Sequence, residues 1–564
     1  VNESNNGGLE TNMFKGHPKG LFVLFFANMG ERFGYYTMIP IFALFLQAQF
    51  GLSSEAVGTI YGVFLFGVYF IPFFGGILAD KIGYGKTITT GILLMILGYA
   101  LMGIPGQALW FIYVSLFIIA AGTGFFKGNL VVILGNLYED QGYKKMHDAA
   151  FNIFYMGINI GAFFAPYAAT ALRDWLLSSS GFTYLANVPG MAHQFLKGKL
   201  EDITGLQTIA TSQMGESFTN LTDFCHQYLA ALSKGYNAAF ALAGVSIIIS
   251  LVIFTSFKKY YRKADYLHKK RAETDVSVQS LTPKQVKERL LALVMVFAVV
   301  IFFWMAFHQN GLILTWFARD YTVGSVGSFT KIFFDLPAFL AVIAAVIGLV
   351  FLLKRSSKAA MRGVGIGLLA VAAVVLYWRY GTFAETNPIS PELFQSFNPI
   401  FVVFLTPLVI IFFAWLGKRN KEPSSPKKIA IGMMIMAVGW IAMVIVARGL
   451  ASPKSLESVG GVSSFLVSPY WLVGLYFALT IAELFISPMG LAFVARVSPP
   501  QYRGMMQGSW LAATAIGTLL SGLIAYPYAA LELWQSYALL LVASVAAGGL
   551  MFLMLKKLER LTKS

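Results

Sequence analysis

The sequence predicts an all-α membrane protein of fourteen transmembrane helices, arranged as two six-helix bundles plus one extra helix pair. Three observations carry that expectation. Hydrophobic residues make up 57% of the 564-residue chain and charged residues 12%, about half the charged share of an ordinary soluble domain. Apolar stretches of roughly 20 residues, the length that crosses a bilayer as a helix, recur from end to end. Most of the 42 Lys and Arg fall in alternate loops, the positive-inside pattern that orients such helices.

The spans follow in order. Six lie at about 20–46, 55–79, 87–105, 108–134, 150–171 and 236–257. Eight more lie at about 290–317, 332–353, 360–380, 394–416, 428–448, 469–494, 503–526 and 533–555. With residues 1–19 as a cytoplasmic tail, the basic loops gather on the cytoplasmic side, and residues 556–564 end there too. The first twenty residues are polar and carry no signal-peptide pattern, so the first span is expected to be retained.

Residues 20–257 form the expected amino-terminal bundle, with an insertion at 172–235 on the outer side. That insertion holds Trp175, Phe195 and Leu200 and reads as short amphipathic helices. Residues 258–289, rich in Lys and Arg (Lys258, Lys259, Arg262, Lys263, Lys269, Lys270, Arg271), read as a cytoplasmic linker, and 290–555 as the carboxy-terminal bundle. Six plus six is the layout of a transporter with a midplane site between two halves. The surplus spans must be adjacent, or everything after them would invert. The Ala/Val/Leu-rich pair at about 332–380 fits, as a lipid-facing scaffold.

Charge inside the spans is scarce. Glu31 and Arg32 stand together in Gly30-Glu31-Arg32-Phe33-Gly34-Tyr35-Tyr36. Lys127, His308 and Glu483 complete the set. A charge at the bilayer centre costs roughly 3 kcal/mol on insertion scales, so these side chains are expected to face a shared interior. Cations in the first half (Arg32, Lys127) and a carboxylate in the second (Glu483) suit a ligand with opposite charges at its two ends. Tyr35, Tyr36, Tyr61 and Tyr69 are the tyrosines placed to line that interior.

Each residue also has a plainer reading. Glu31 and Arg32 could be a permanent structural pair, Lys127 could snorkel to an interface, and His308 could be hydrogen-bonded within the bundle. Glu483 sits beside a Ser-Pro break, and such breaks line cavities. One cysteine, Cys225, excludes an internal disulfide and a cysteine-based metal site. No metal cluster, phosphate loop or nucleophile–base pair is legible, and no cofactor is expected. An enzyme is therefore a poor reading, and the net charge of +16 reflects topology rather than nucleic-acid binding.

Longer motifs sharpen this. Gly76-Ile77-Leu78-Ala79-Asp80-Lys81-Ile82-Gly83 resembles the loop motif of the major facilitator superfamily, which implies that Asp80 caps a neighbouring helix and locks one conformation. Phe151-Asn152-Ile153-Phe154-Tyr155-Met156-Gly157-Ile158-Asn159-Ile160-Gly161-Ala162-Phe163 is similar, position for position, to the fifth-helix motif of the proton-dependent oligopeptide transporter (POT/PTR) family. Phe394-Gln395-Ser396-Phe397-Asn398-Pro399 and Glu483-Leu484-Phe485-Ile486-Ser487-Pro488-Met489-Gly490-Leu491 resemble its eighth and tenth core helices.

The resemblance implies a major facilitator fold and proton-driven import of di- and tripeptides by alternating access at the cell membrane, by a protein that works as a monomer. It implies that Arg32 and Lys127 hold the peptide carboxylate, and that Asn159, Asn398 and Glu483 hold the amino terminus and backbone. Tyr36 and Tyr69 would line the pocket. Glu31, with Arg32, Lys127, His308 and Glu483, would make up the proton-coupling set, and Gly76, Asp80, Lys81 and Gly83 the conformational loop.

Three departures bear on this. Asn28 replaces a glutamate of the first-helix pattern, which leaves any coupling on that helix to Glu31. Ile39 replaces an arginine and His308 an acid, which removes an expected pair from the outer gate. The extra helices follow the seventh core span instead of lying between the halves. Alternatives are the same fold moving another small substrate (an amino acid, nitrate or a peptide-like compound) with altered or no coupling, or a peptide sensor that transports nothing.

Overall fold

The computed structural model describes residues 16–139, 143–265, 282–354, 359–456, 461–499 and 502–563. The tail before residue 16, most of the linker (266–281, with Lys269, Lys270 and Arg271) and Ser564 lie outside the described residues.

Long helices dominate. The first set is α1 (Lys19–Phe50), α2 (Ser54–Ile82), α3 (Tyr84–Met102), α4 (Leu109–Leu137), α5 (His147–Ser179) and α6 (Leu221–Ser256). The second is α7 (Pro283–Phe307), α8 (Leu336–Leu353), α9 (Ala359–Thr382), α10 (Phe397–Lys418), α11 (Ser425–Ala447), α12 (Tyr470–Val497), α13 (Arg503–Leu523) and α14 (Leu533–Lys563). Among the described residues, thirteen helical segments are long and apolar enough to cross a membrane. Helix α1 is also long enough, at 32 residues, and is less apolar because it carries Glu31, Arg32, Gln47 and Gln49. Counted with it, the described residues hold fourteen helices long enough to span.

Helix α1 packs against α5 and α6, α3 against α4 and α6, and α2 against α4, which closes the first bundle. In the second bundle α11 packs against α12 and α14, α13 against α7, and α10 against α12. Helix α2 crosses α13 between the bundles. Helices α8 and α9 pack on each other, with Gly348 and Gly365 at the crossing, where a Cβ on either would meet the other's carbonyl at under 3 Å. Their outer surfaces are bare, with Leu353, Val374 and Tyr377 more than half exposed, as lipid-facing helices should be.

Several boundaries differ from the hydropathy reading. The fifth span runs to Ser179, eight residues past the predicted 171, and takes Trp175 with it, and the last helix runs on to Lys563 through the predicted tail. The sixth span begins at Leu221, fifteen residues before the predicted 236, because Asn220 caps it by accepting the Asp223 N–H at 2.8 Å. The non-spanning stretch is therefore 180–220, with short helices at Val188–Leu196 and Ile203–Met214. The seventh span is not one continuous helix through 317. It breaks into a 3-10 turn at His308–Gly311 and resumes as Ile313–Asp320. Gly311 lies under the Tyr61 hydroxyl and Ile39, where a side chain has no room.

The face bearing 180–220 is called here the insertion face, and the opposite one the tail face. Hydrogen bonds between bundles gather at the insertion face. Arg319 Nη1 donates to Gln47 Oε1 at 2.6 Å, Tyr167 Oη to the Phe333 carbonyl at 3.2 Å, and Ser396 Oγ to the Phe163 carbonyl at 3.2 Å. Arg173 pairs with Glu392 there.

Candidate functional site

The charged residues expected to converge do converge, at mid-depth between the bundles. Helix α1 supplies the first two. Glu31 and Arg32 are almost fully buried, and Arg32 reaches back so that Nε and Nη2 donate to the two oxygens of the Glu31 carboxylate. That fork satisfies both charges in one low-dielectric place. The same guanidinium lies 5.0 Å from the centre of the Tyr35 ring, a cation–π distance.

Lys127, on α4, sits with its ammonium 4.3 Å over the Tyr69 ring and makes no ion pair among the described residues. It is within electrostatic reach of Arg32 and Glu31. Asn129, two residues on, holds α4 to α2 by donating to the Gly75 carbonyl at 3.2 Å. The Tyr69 ring also packs on His308, at 5.6 Å between ring centres. On its other side His308 stacks on Trp304 at 5.3 Å. His308 Nε2 is buried without a hydrogen-bond partner among the described residues, while its carbonyl accepts from Tyr61 Oη at 3.4 Å.

The second bundle brings the opposing carboxylate. Asn398, in the first turn of α10, donates through Nδ2 to Glu483 Oε2 and to Thr480 Oγ1, each at 3.0 Å. Thr480 lies one helical turn before Glu483 on α12, so the amide clamps the carboxylate from the neighbouring helix. Tyr36 lies within electrostatic reach of Arg32, Glu31 and Glu483, and Tyr69 of Arg32 and Glu483. Two tyrosines thus stand between a cationic wall and an anionic one.

Burial divides the set. Tyr36, Tyr69, Lys127, Asn159, Asn398 and Glu483 are half-buried, whereas Glu31, Arg32 and His308 are buried. Asn159 is less engaged than the rest: its Nδ2 donates to the Tyr155 carbonyl of its own helix at 3.1 Å. Asn28 is buried with its Nδ2 unpartnered among the described residues.

The loop motif behaves differently from its reading. Asp80 is exposed and accepts from the Tyr84 hydroxyl at 3.1 Å, and it caps no neighbouring helix among the described residues. The first turn of α3 is capped by Asp265, whose Oδ1 accepts the Gly85 N–H at 2.9 Å. Gly83 has φ +98° and makes the tight α2–α3 turn. Gly76 lies in open space and Lys81 is exposed.

Sequence reasoning missed Thr480, Trp304 and the Arg173–Glu392 pair. The i−3 spacing of Thr480 from Glu483 was the available signal for the first. A cavity of about 600 Å³ lined by Gln47, Tyr184, His193, Lys197, Arg319 and Lys454 lies at the insertion face, away from the central charges.

The profile of the POT family matches residues 85–282 and 380–534. The peptide transporter YePEPT of Yersinia enterocolitica is 28% identical over 542 residues, which cover 91% of this chain and 88% of that one. Dipeptide and tripeptide permease A of Escherichia coli is 26% identical, with 100% and 97% covered. Among solved structures, the peptide transporter POT in complex with sulfate superposes with a TM-score of 0.66 at 22% identity, covering 98% of this chain and 97% of that one.

Proposed function

The chain belongs to the POT family and is a membrane transporter rather than an enzyme, and on that premise we propose that it imports di- and tripeptides together with protons by alternating access. One observation carries the reading. Arg32 and Lys127 on one bundle face Glu483 on the other across Tyr36 and Tyr69. A peptide zwitterion bridges such walls, its carboxylate on the cations and its ammonium on the Asn398-clamped Glu483. Side chains then point into space that need not recognise them, so one site serves many sequences.

Glu31 is the proton-linked acid in this reading. Its carboxylate neutralises Arg32 while the site is empty, and protonation frees Arg32 for the peptide carboxylate. Asn159 supports the peptide backbone from α5. The tail face, with the basic loops, is the cytoplasmic one, in the cell membrane, and one chain suffices because the site lies between its own two bundles. Because the bundles are bonded to each other at the insertion face, the outer side is the closed one.

The test is uptake of labelled dialanine into proteoliposomes. An inward proton gradient is expected to drive accumulation above the level reached when the gradient is collapsed. Equal uptake in both would end the coupling. Buried Asn28, where the family pattern has an acid, favours one second reading, a POT-fold transporter of another substrate with weakened coupling. No uptake of dialanine, with gradient-independent uptake of a labelled amino acid or nitrate by the same proteoliposomes, would select it.

A further inference from the structure

Arg173 and Glu392 are both fully buried, although one closes α5 of the first bundle and the other lies in the 3-10 turn Pro391–Ser396 that leads into α10 of the second. Arg173 Nη1 donates to Glu392 Oε1, Nη2 to Ser390 Oγ at 3.2 Å, and Nε to Asp174 Oδ1 at 2.9 Å. The guanidinium is roofed by Tyr184, 3.7 Å from its ring centre. Tyr184 comes from the 180–220 stretch, which is itself stapled to the end of α1: His193 Nε2 donates to the Ala48 carbonyl at 2.8 Å and Lys197 Nζ to the Gly51 carbonyl at 3.0 Å.

Beneath the pair lies an apolar layer that also joins the bundles. Phe163 of α5 packs on Phe339 of α8 at 5.6 Å, and Phe339 on Phe397 of α10 at 6.0 Å. A buried pair of this kind is costly to break from one side, because a lone buried charge is left behind. Opening the insertion face must part α5 from α10, which separates the two charges and lets water reach both.

We propose that Arg173 and Glu392, roofed by Tyr184, are the latch of the outer gate, and that the 180–220 stretch serves to hold that roof in place. The inference rests on the alternating-access reading and on its assignment of the insertion face as outer. It needs no particular substrate and no proton coupling. It also supplies a gate where Ile39 and His308 leave none.

The experiment measures solvent access from each side. Ser396, 1% exposed and bonded to Phe163 across the seam, becomes the outer reporter as Ser396→Cys. Tyr155, exposed on α5 towards the tail face, becomes the inner reporter as Tyr155→Cys. Both are placed on a Cys225→Ser background and labelled by a membrane-impermeant maleimide applied to one side of vesicles.

Glu392→Gln and Tyr184→Ala are each expected to speed outer labelling of Ser396→Cys at least about tenfold and to slow inner labelling of Tyr155→Cys. The charge exchange Arg173→Glu with Glu392→Arg is expected to restore both rates towards those of the background. Trp175→Ala, exposed near the end of α5, is expected to change neither. Should Glu392→Gln not fold, Arg173→Gln with Glu392→Gln leaves no buried charge unpaired, only the half-exposed Asp174 carboxylate, and carries the same expectation.

A merely structural role would raise labelling at both reporters. That result, or unchanged rates at both, overturns the latch. Because no peptide or gradient is present, failure of peptide uptake leaves this result standing, and failure here leaves the peptide reading standing.

Discussion

Glu31 and Arg32 divide one task between two neighbouring side chains. The Arg32 fork on Glu31 leaves the carboxylate no spare charge partner, so a proton on Glu31 releases a buried cation that must find another anion. In the proposed reading the peptide carboxylate is that anion. Glu31→Gln is therefore expected to keep peptide exchange between two pools (counterflow) while gradient-driven accumulation falls to the gradient-free level. Accumulation that survives the substitution would move the coupling elsewhere. In the same reading Glu483 binds the other peptide end, and a charge-assisted hydrogen bond is worth about 1.5–3 kcal/mol. Glu483→Gln should then weaken dialanine binding by roughly ten- to a hundredfold and leave N-acetyl-dialanine unaffected. If wild type binds both peptides equally, Glu483 does not grip the amino terminus. The charged members of the site were legible because lipid makes every unpaired charge expensive. Thr480 and Trp304 were not, since an uncharged side chain acquires its role only from what folding brings beside it. Arg173 and Glu392 escaped notice for the opposite reason. They lie 219 residues apart, and each falls outside the predicted spans, where charge is ordinary.

At the scale of elements, most helix ends follow from local chemistry. Ser53, Asn220, Thr282, Asp335 and Ser424 each cap the helix that follows, and Gly51 ends α1 in the left-handed region at φ +59°. What local chemistry could not give was the capping of α3, because Asp265 reaches it from 180 residues away. Asp80, nearer in sequence, is left free of that duty. The 180–220 stretch has its own sensitivity. His193 has its pKa lowered, chiefly by burial, with Lys197 adding to the effect and the bond to the Ala48 carbonyl opposing it. The folded state thus disfavours the imidazolium. The stability that depends on burying His193 as the neutral ring is whole above the unfolded histidine value of about 6.5 and is lost as pH falls through the lowered folded value. Hydrogen-exchange protection at residues 47–51, taken relative to the intrinsic rate at each pH, should accordingly fall on acidification from pH 8 to pH 5 in the wild type. His193→Gln, which cannot take a proton, should show no such step. The same step in His193→Gln would assign the acid sensitivity to another group.

Across the whole molecule, the two bundles meet most closely where α2 crosses α13. A Cβ on Gly62 would stand 2.8 Å from the Leu519 carbonyl and 3.0 Å from Gly522 Cα, so backbone lies on backbone. Gly58 faces the same glycine one turn earlier, near the insertion-face end of both helices. That contact can exist only while the bundles are closed on this side. Filling it penalises the closed state and leaves the open one unhindered, and over-packing of this kind typically costs about 1–3 kcal/mol, enough to shift a two-state balance by roughly ten- to a hundredfold. Gly62→Leu should therefore raise outer labelling of Ser396→Cys without touching the latch or the peptide site. Gly348→Leu makes a comparable intrusion at the α8–α9 crossing, but that pair faces lipid along most of its length and its separation does not part the bundles. It should leave the labelling unchanged. Equal acceleration by both would mean that any loosening of packing opens the outer side. Acceleration by Gly62→Leu alone would identify the α2–α13 crossing as a surface the bundles must leave in order to exchange states.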